Sequence, residues 1–287
     1  MAKAARTLRL IAVIFFCLLF LLPLIWLIQA SFKDSAQIFL FPPNVIPDPF
    51  VWRNYEVLFR ESTGINMPRL LLNSLFYCGV AIAGGVFTNM LIAYGFARFR
   101  FPGREALFLI VLGTMMFPAA LLWIPRYWVA LKVGIVGTWL PIMLPPIIGG
   151  SPLYIFFLRQ FIRGISTDYD DAAELDGCNK FRVLWNIIAP MLKPGIMFIV
   201  INEFVHRWND IYEPLIFLRR QSSHPLALGL FSFQAKMMNV LVMQTQGEDP
   251  LGTFMAMCVL VIIPPLLLYI FFQKFFAEGV KLSGLKG

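Results

Sequence analysis

The sequence predicts an all-α polytopic membrane protein with six transmembrane helices and both termini in the cytoplasm. This prediction rests on the composition, on the length of the uncharged apolar segments and on the distribution of basic residues. Hydrophobic residues make up 59% of the 287 residues and charged residues only 14%, whereas soluble domains contain about 45–50% and about 25%. A soluble chain of this composition would lack the polar side chains needed to cover its core.

The apolar residues form long blocks, and residues 10–30 and 138–158 contain no charged side chain. A helix of about 20 residues crosses the roughly 30 Å hydrocarbon core of a bilayer, and a helix satisfies its own backbone groups in lipid. The first block is too long for a cleaved signal peptide, so we interpret it as a retained first helix. The six predicted spans are residues 10–30, 70–95, 106–129, 138–159, 191–217 and 252–273.

The basic residues orient these spans. With the N-terminus inside, 14 of the 24 Lys and Arg residues lie in segments that face the cytoplasm, in agreement with the positive-inside rule. The C-terminal segment then lies inside as well. No run of Lys or Arg alternates with aromatic residues, so the sequence indicates membrane lipid and no nucleic acid as a partner.

The sequence indicates no catalytic centre. The only histidines, His206 and His224, lack the spacing of metal ligands, and the four cysteines show no paired spacing. No G-x-x-x-x-G-K-[ST] phosphate-binding loop occurs. We therefore predict no catalytic residues and no metal or other cofactor bound by this chain.

The polar segment 160–194, between spans four and five, predicts a helix–turn–helix. Its first helix begins near residue 168, where Ser166 or Thr167 can cap it and three aspartates suit its positive end. Gly177 supplies the left-handed residue that ends a helix. Asn179 can cap a second helix over 180–189. The apolar side chains of that second helix recur at helical spacing: Phe181, Leu184, Trp185 and Ile188.

Two interpretations of this hairpin remain open from the physics alone. It is either an amphipathic pair that packs on the helix bundle, or a docking element for another protein. Four carboxylates in one short helix would be repelled by an anionic membrane surface, which favours a protein partner. The physics does not name that partner.

The hairpin sequence resembles the EAA loop of ABC-type import permeases. Residues 171–177 read Asp-Ala-Ala-Glu-Leu-Asp-Gly and precede the penultimate span, as they do in that family. Asp171, Ser166 and Cys178 depart from the family's usual Glu, Pro and small residue. The similarity to the carbohydrate-uptake branch, and to the shorter permease of the maltose type, covers nearly the whole chain. It is carried by Phe32-Lys33, Trp52 with Asn54-Tyr55, Asn73-Ser74, Ala93-Tyr94 with Ala97-Arg98, Met116-Phe117-Pro118, Trp208-Asn209, Pro214-Leu215 and the tail from Gly279 to Gly287.

The resemblance implies the type I ABC importer permease fold, with residues 1–287 as one permease domain. The expected partners are a second permease in a heterodimer, a cytoplasmic ATPase dimer that binds ATP and Mg, and an external substrate-binding protein. The implied location is a bacterial or archaeal plasma membrane. The coupling loop 160–194 would contact the ATPase through Asp171, Ala172, Ala173, Glu174, Asp176, Gly177, Asn179, Phe181, Ile188 and Pro190, and the tail 275–287 through Gly284, Lys286 and Gly287.

The fifth predicted span contains four ionisable residues, Glu203, His206, Arg207 and Asp210, at spacings that allow pairing on one helix face. We interpret them as bundle structure in preference to a solute site. Trp208 and Asn209 are better candidates for a sugar path, because sugars stack on indole rings and hydrogen-bond to amides. Trp123 is a further candidate. An ion-coupled secondary transporter and a membrane-embedded enzyme remain as alternatives, although no inverted repeat is evident.

Overall fold

The computed structural model describes residues 2–60, 66–238 and 249–284, and for residues 2–5, 238 and 274–284 it describes the backbone alone. These residues are mostly helical and include no strand, which confirms the predicted all-α class. The helices of the first half are α1 (Ala2–Ala30), α2 (Ser35–Ile38), α3 (Arg53–Leu58), α4 (Met67–Arg98), α5 (Arg104–Gly113), α6 (Trp123–Val133), α7 (Leu140–Ile148) and α8 (Pro152–Arg163).

The second half begins with the predicted polar hairpin. Its second helix contains one π-helical turn, Leu184–Ile188, between two α-helical pieces. The helices are α9 (Asp168–Leu175), α10 (Lys180–Val183), α11 (Ala189–Met191), α12 (Lys193–Trp208), α13 (Tyr212–Phe217), α14 (Leu226–Met238) and α15 (Pro250–Gly284).

The helices form four to six candidate membrane spans in the described part of the chain. Four are long and apolar enough by themselves, and two more are pairs of helices bent at a short break. The four are Arg6–Ala30, Met67–Arg98, Leu140–Arg163 and Pro250–Gln273, and the pairs are Arg104–Met116 with Ala119–Val133, bent by 95°, and Lys180–Met191 with Lys193–Trp208, bent by 80°.

The third predicted span, 106–129, is not one straight helix. The backbone leaves the helical region at Phe117, which has φ −85° and ψ 125°, and a new helical turn begins after Pro118. A residue that precedes proline is driven away from the α conformation, because the proline ring collides with its backbone. Met116-Phe117-Pro118 is therefore a bend in the middle of this span.

The fifth predicted span, 191–217, is also interrupted. Helix α12 ends at Trp208, and α13 begins only at Tyr212. The Asn209 side-chain amide donates to the Val205 carbonyl at 2.8 Å, and the Asn209 backbone N–H donates to the same carbonyl at 3.2 Å.

The chain divides into two compact units, Met1–Arg69 with Gly229–Pro264, and Leu70–Leu228 with Pro265–Gly287. In the first unit, buried Asn54 donates to the carbonyls of Ser31 and Lys33 just beyond the end of α1. Ser35 Oγ donates to Asp249 at 2.5 Å. The Asn54 bonds join α3 to the segment after α1, and the Ser35 bond joins that segment to the residue before α15.

The second unit contains two clusters of buried apolar residues. One joins α4, α8, α12 and the hairpin, through residues such as Met90, Leu158, Leu184 and Ile199. The other joins α4, α6, α7 and the α13 region: Tyr77, Ala130, Ile142, Met143, Phe217 and Leu218.

Candidate functional site

The polar hairpin forms as the sequence predicts. Ser166 Oγ accepts a hydrogen bond from the Asp168 backbone at 3.3 Å, whereas the Thr167 side chain makes no capping bond. Gly177 adopts φ +81°, a conformation that a Cβ disfavours. Asn179 Oδ1 accepts from the Arg182 backbone at 2.9 Å and so caps the second helix.

The inner face of the hairpin packs on the helix bundle. Ala173, Val183, Leu184 and Ile188 are each at most 5% exposed and belong to the core that includes Met90 and Tyr94. Trp185 stacks on Phe87 of α4 with ring centroids 5.7 Å apart. The packing interpretation therefore holds for this face. Phe181 departs from the predicted apolar stripe, because it is 55% exposed.

The outer face of the hairpin carries most of the residues predicted to contact an ATPase. Ala173 and Ile188 of that set are buried in the core, and Pro190 is exposed. Glu174 forms an ion pair with Lys180 across the turn. The remaining exposed members are Asp171, Ala172, Glu174, Asp176, Gly177, Asn179 and Phe181.

Sequence reasoning did not single out Leu175. Its side chain is 90% exposed at the tip of the hairpin, between Glu174 and Asp176. The available signal in the sequence is an apolar residue at a turn with a carboxylate on each side. We call the exposed residues 171, 172 and 174–177 the hairpin tip.

Sequence reasoning assigned all three aspartates of α9 to the positive end of the helix, and the structure distinguishes them. Asp168 and Asp171 are exposed, whereas Asp170 is 4% exposed. Asp170 Oδ2 lies 3.1 Å from Arg98 Nε, and the Tyr94 hydroxyl donates to Asp170 Oδ1 at 3.3 Å. The spacing of Asp170 three residues before Ala173 is what places both on the inner face.

The ionisable residues near the end of α12 form a buried network. Arg207 Nε donates to Glu203 at 2.7 Å, and Arg207 Nη1 donates to the Tyr77 hydroxyl at 2.8 Å and to Glu213 at 3.2 Å. Glu213 also accepts from Arg126 at 2.6 Å. The structure therefore supports the interpretation of these charges as bundle structure, because they join α4, α6, α12 and α13.

Two members of the predicted pairing behave differently. Asp210 accepts from the Tyr77 hydroxyl at 2.7 Å, and it is Glu213 rather than Asp210 that supplies the second carboxylate to Arg207. His206 lies on the exposed side of α12.

The candidate path residues occupy three different environments. Trp208 is 1% exposed and stacks on Phe204 with centroids 5.3 Å apart. Asn209 is exposed. Trp123 stacks on Tyr212 with centroids 5.5 Å apart and an interplanar angle of 23°.

A polar cavity of about 120 Å³ lies beside the buried network. Asn89 borders it and holds the break between α7 and α8, since its Oδ1 accepts from the Ser151 backbone at 2.7 Å. The cavity is lined by Gly85, Asn89, Pro145, Pro146, Gly150, Ser151, Tyr154, Glu203 and Arg207.

Residues 82–282 match the family described as the binding-protein-dependent transport system inner membrane component. The chain belongs to this family. It is 31% identical over 272 residues to the arabinooligosaccharides transport system permease protein AraQ of Bacillus subtilis, an alignment that covers 94% of this chain and 92% of the relative. It is 27% identical to the diacetylchitobiose uptake system permease protein NgcG of Streptomyces coelicolor, covering 91% of this chain and 82% of the relative.

The fold has a solved counterpart in a bacterial ABC transporter involved in the import of the acidic polysaccharide alginate. The TM-score is 0.81 at 22% identity, and the match covers 96% of this chain and 97% of that chain. The chain is thus a multi-pass permease subunit of an ABC importer and not an enzyme. ATP hydrolysis belongs to a separate subunit, and the ion-coupled alternative finds no support.

Proposed function

We propose that this permease imports a neutral oligosaccharide, together with a second permease in a heterodimer, a cytoplasmic ATPase dimer and an external substrate-binding protein, in a bacterial or archaeal plasma membrane. The names of the two relatives support an oligosaccharide class. The excess of negative charge in the buried network favours a neutral oligosaccharide over an anionic one. Its three carboxylates, Glu203, Asp210 and Glu213, outnumber the two guanidinium groups of Arg126 and Arg207.

A direct test of the substrate class compares two labelled sugars of equal length in proteoliposomes that contain the whole transporter. We expect the transporter to import the neutral oligosaccharide. An excess of the oligouronate should inhibit that uptake only slightly. Uptake of the oligouronate at the same rate would contradict the neutral class and leave the permease role untouched.

The observation that carries the proposed coupling role is the division of the hairpin into a buried face and the exposed hairpin tip. Leu175 projects into solvent between two carboxylates. Full burial of one Leu side chain stabilises a complex by about 1.5–3 kcal/mol. We propose that Leu175 enters an apolar cleft on the ATPase, where cationic groups around the cleft would face the surrounding carboxylates.

The test is purification of the transporter through a tag on this chain. We expect Leu175→Ser to lower the amount of ATPase recovered at least tenfold, whereas Arg163→Ala, an exposed change at the end of α8 and outside the hairpin tip, leaves recovery unchanged. Equal ATPase recovery with Leu175→Ser and with the native chain would contradict docking through the hairpin tip.

For the solute path, we propose that Trp123, Trp208 and Asn209 offer stacking faces and an amide to the sugar as it passes. In the present conformation Phe204 covers one face of Trp208, so this indole becomes available only when the end of α12 moves. The stacked rings of Trp123 and Tyr212 form an aromatic platform of the kind that sugars bind.

The proposed second ATPase contact is the tail. Gly284 is the last described residue of α15, and Lys286 and Gly287 lie outside the described residues. Removal of residues 277–287 tests this contact: we expect normal membrane insertion and a lower recovery of the ATPase with the purified permease.

A further inference from the structure

The ion pair between Arg98 and Asp170 lies outside the hairpin tip. Their side chains are 8% and 6% exposed, and Arg98 Nε lies 3.1 Å from Asp170 Oδ2. Removing two charges from water is costly. The pair joins the last residue of α4 to the first turn of α9.

Two hydrogen bonds act at the same place as this ion pair. Tyr94 lies one turn before Arg98 on α4, and its hydroxyl donates to Asp170 at 3.3 Å. Arg98 Nη2 donates to the carbonyl of Ile165 at 3.0 Å, just before α9. One face of α4 therefore holds both the entry to the hairpin and its first helix.

The same face of α4 continues along the second helix of the hairpin. Phe87 stacks on Trp185, and Met90 belongs to the buried cluster with Leu184. Residues 87, 90, 94 and 98 are three or four apart, which is the spacing of a single helix face. The hydrophobic effect itself is non-directional, and the polar contacts at Tyr94 and Arg98 add directional bonds to this apolar surface.

Helix α4 also reaches the buried charge network. Tyr77, nearly six turns before Arg98 on α4, bonds to Arg207 and Asp210. Between the two ends, Asn89 holds the break between α7 and α8 through Ser151. If α4 moves together with the hairpin, the displacement would therefore extend to residues that border the proposed solute path.

We propose that the Arg98–Asp170 pair is the joint through which a movement of the hairpin is transmitted to α4, and that Tyr94, Arg98 and Asp170 are positioning residues for coupling. This inference rests on the proposed docking of the hairpin on an ATPase. The short contact between Arg98 Nε and Asp170 Oδ2 acts together with the hydrogen bonds of Tyr94 and Arg98, so we expect α9 and α4 to move together as long as these contacts are closed.

The test uses the whole transporter in proteoliposomes, with sugar uptake and ATP hydrolysis measured in parallel. We expect Asp170→Asn to retain the ATPase subunit and basal hydrolysis while the sugar imported per ATP hydrolysed falls about tenfold. The matched control is Asp168→Asn, which removes an exposed carboxylate from the same helix turn and leaves this ratio unchanged. Equal ratios in the two variants would overturn the proposal.

A double variant keeps the test valid if a single change prevents folding. Asp170→Asn leaves Arg98 buried without its counterion, which is the damaging case, whereas Arg98→Gln with Asp170→Asn leaves no unpaired charge. Since two partners in one interaction are not additive, we expect the double variant to lose about tenfold and no more than either single variant. Normal coupling in the double variant, or a loss near one hundredfold, would overturn the joint.

Failure of this inference is distinguishable from failure of the proposed function. If Leu175→Ser releases the ATPase but Asp170→Asn couples normally, the docking stands and the joint is wrong. If the native chain recovers no ATPase, the docking itself is wrong and the joint falls with it. If Asp170→Asn alone releases the ATPase to the same extent as Leu175→Ser, the pair serves docking and the joint is also wrong.

Discussion

Arg207 and Glu203 lie one helical turn apart on α12, with Arg207 Nε 2.7 Å from Glu203 Oε1 and both side chains at most 10% exposed. Arg207 is held at the same time by Tyr77 of α4 and Glu213 of α13. A guanidinium with three bound partners is committed to holding helices together.

We therefore expect Glu203→Ala to reduce the yield of folded transporter. Loss of one partner of a buried pair costs about 3–5 kcal/mol, because the other charge stays uncompensated. The measurement is the thermal midpoint and the monodisperse fraction of the purified complex. Asn202→Ala, at an exposed neighbouring position, is the control. A normal midpoint for Glu203→Ala would show that the pair contributes little to stability.

Gly177→Val should uncouple transport while leaving the protein inserted. A Cβ in the left-handed conformation costs about 1–2 kcal/mol, and here it meets no atom within 4 Å, so the effect is backbone strain alone. The strain would shift the hairpin tip, and we expect lower sugar uptake per ATP hydrolysed. Gly134→Val introduces the same strain, with φ +78° and open space, far from the hairpin in sequence. Equal uptake in the two variants would argue against a special role for this turn.

Gly84→Ala should destabilise the second unit. A Cβ at Gly84 would collide with the Ile147 side chain and lie 3.3 Å from its Cα, so α4 and α7 would have to separate. Small residues at such positions allow helices in membranes to approach closely. Gly79→Ala is the matched change on α4, where nothing lies within 4 Å. We expect a lower thermal midpoint for Gly84→Ala only, and equal midpoints would contradict the close packing.

Substitutions in the proposed path should lower uptake without loss of assembly. We expect Trp123→Ala and Asn209→Ala to reduce sugar uptake severalfold, because each removes a stacking face or an amide. Trp128→Ala is the control, since its indole is 59% exposed on the same helix as Trp123. Uptake and basal ATP hydrolysis are measured on complexes of equal yield. If Trp128→Ala lowers uptake as much as Trp123→Ala, the path assignment to Trp123 is withdrawn.

Trp208→Ala needs a separate expectation, because this indole is buried against Phe204 in the structure. Loss of a buried Trp side chain costs about 3–5 kcal/mol through the cavity it leaves. We expect Trp208→Ala to lower both complex yield and uptake, whereas Trp208→Phe restores yield. Full uptake in Trp208→Phe would show that an aromatic ring of either kind serves the path, and normal yield in Trp208→Ala would contradict its packing role.

The local elements of the hairpin could be predicted from the sequence, because each depends on residues a few positions apart. The left-handed Gly177 and the Asn179 cap need only their own neighbours, and both formed as expected. The break at Phe117 was also within reach, since the signal is the proline that follows it. It was missed because apolar composition alone does not distinguish a straight helix from a bent one.

The partners of Arg207 could not be predicted, because they depend on where the chain turns after α12. Spacing along one helix predicts Glu203 and Asp210 equally well as partners of Arg207. The interruption at Asn209 ends that helix, so that Glu213 of α13 reaches Arg207 while Asp210 accepts from Tyr77 of α4. Tyr77 is more than one hundred residues away in sequence, and no local pattern includes it.

The sequence by itself determined that the chain is a helical membrane protein with a polar hairpin before its penultimate span, because composition, helix length and short-range capping are properties of neighbouring residues. The permease assignment came from the resemblance of residues 171–177 to the EAA loop. Only the tertiary structure decided which hairpin residues are buried against the bundle and which are exposed. Three aspartates begin α9, yet only Asp170 turns inward to Arg98, and Leu175 is left at the tip. The reason is that the packing of α4 against one face of the hairpin selects which side chains are buried, and this contact joins segments some seventy residues apart.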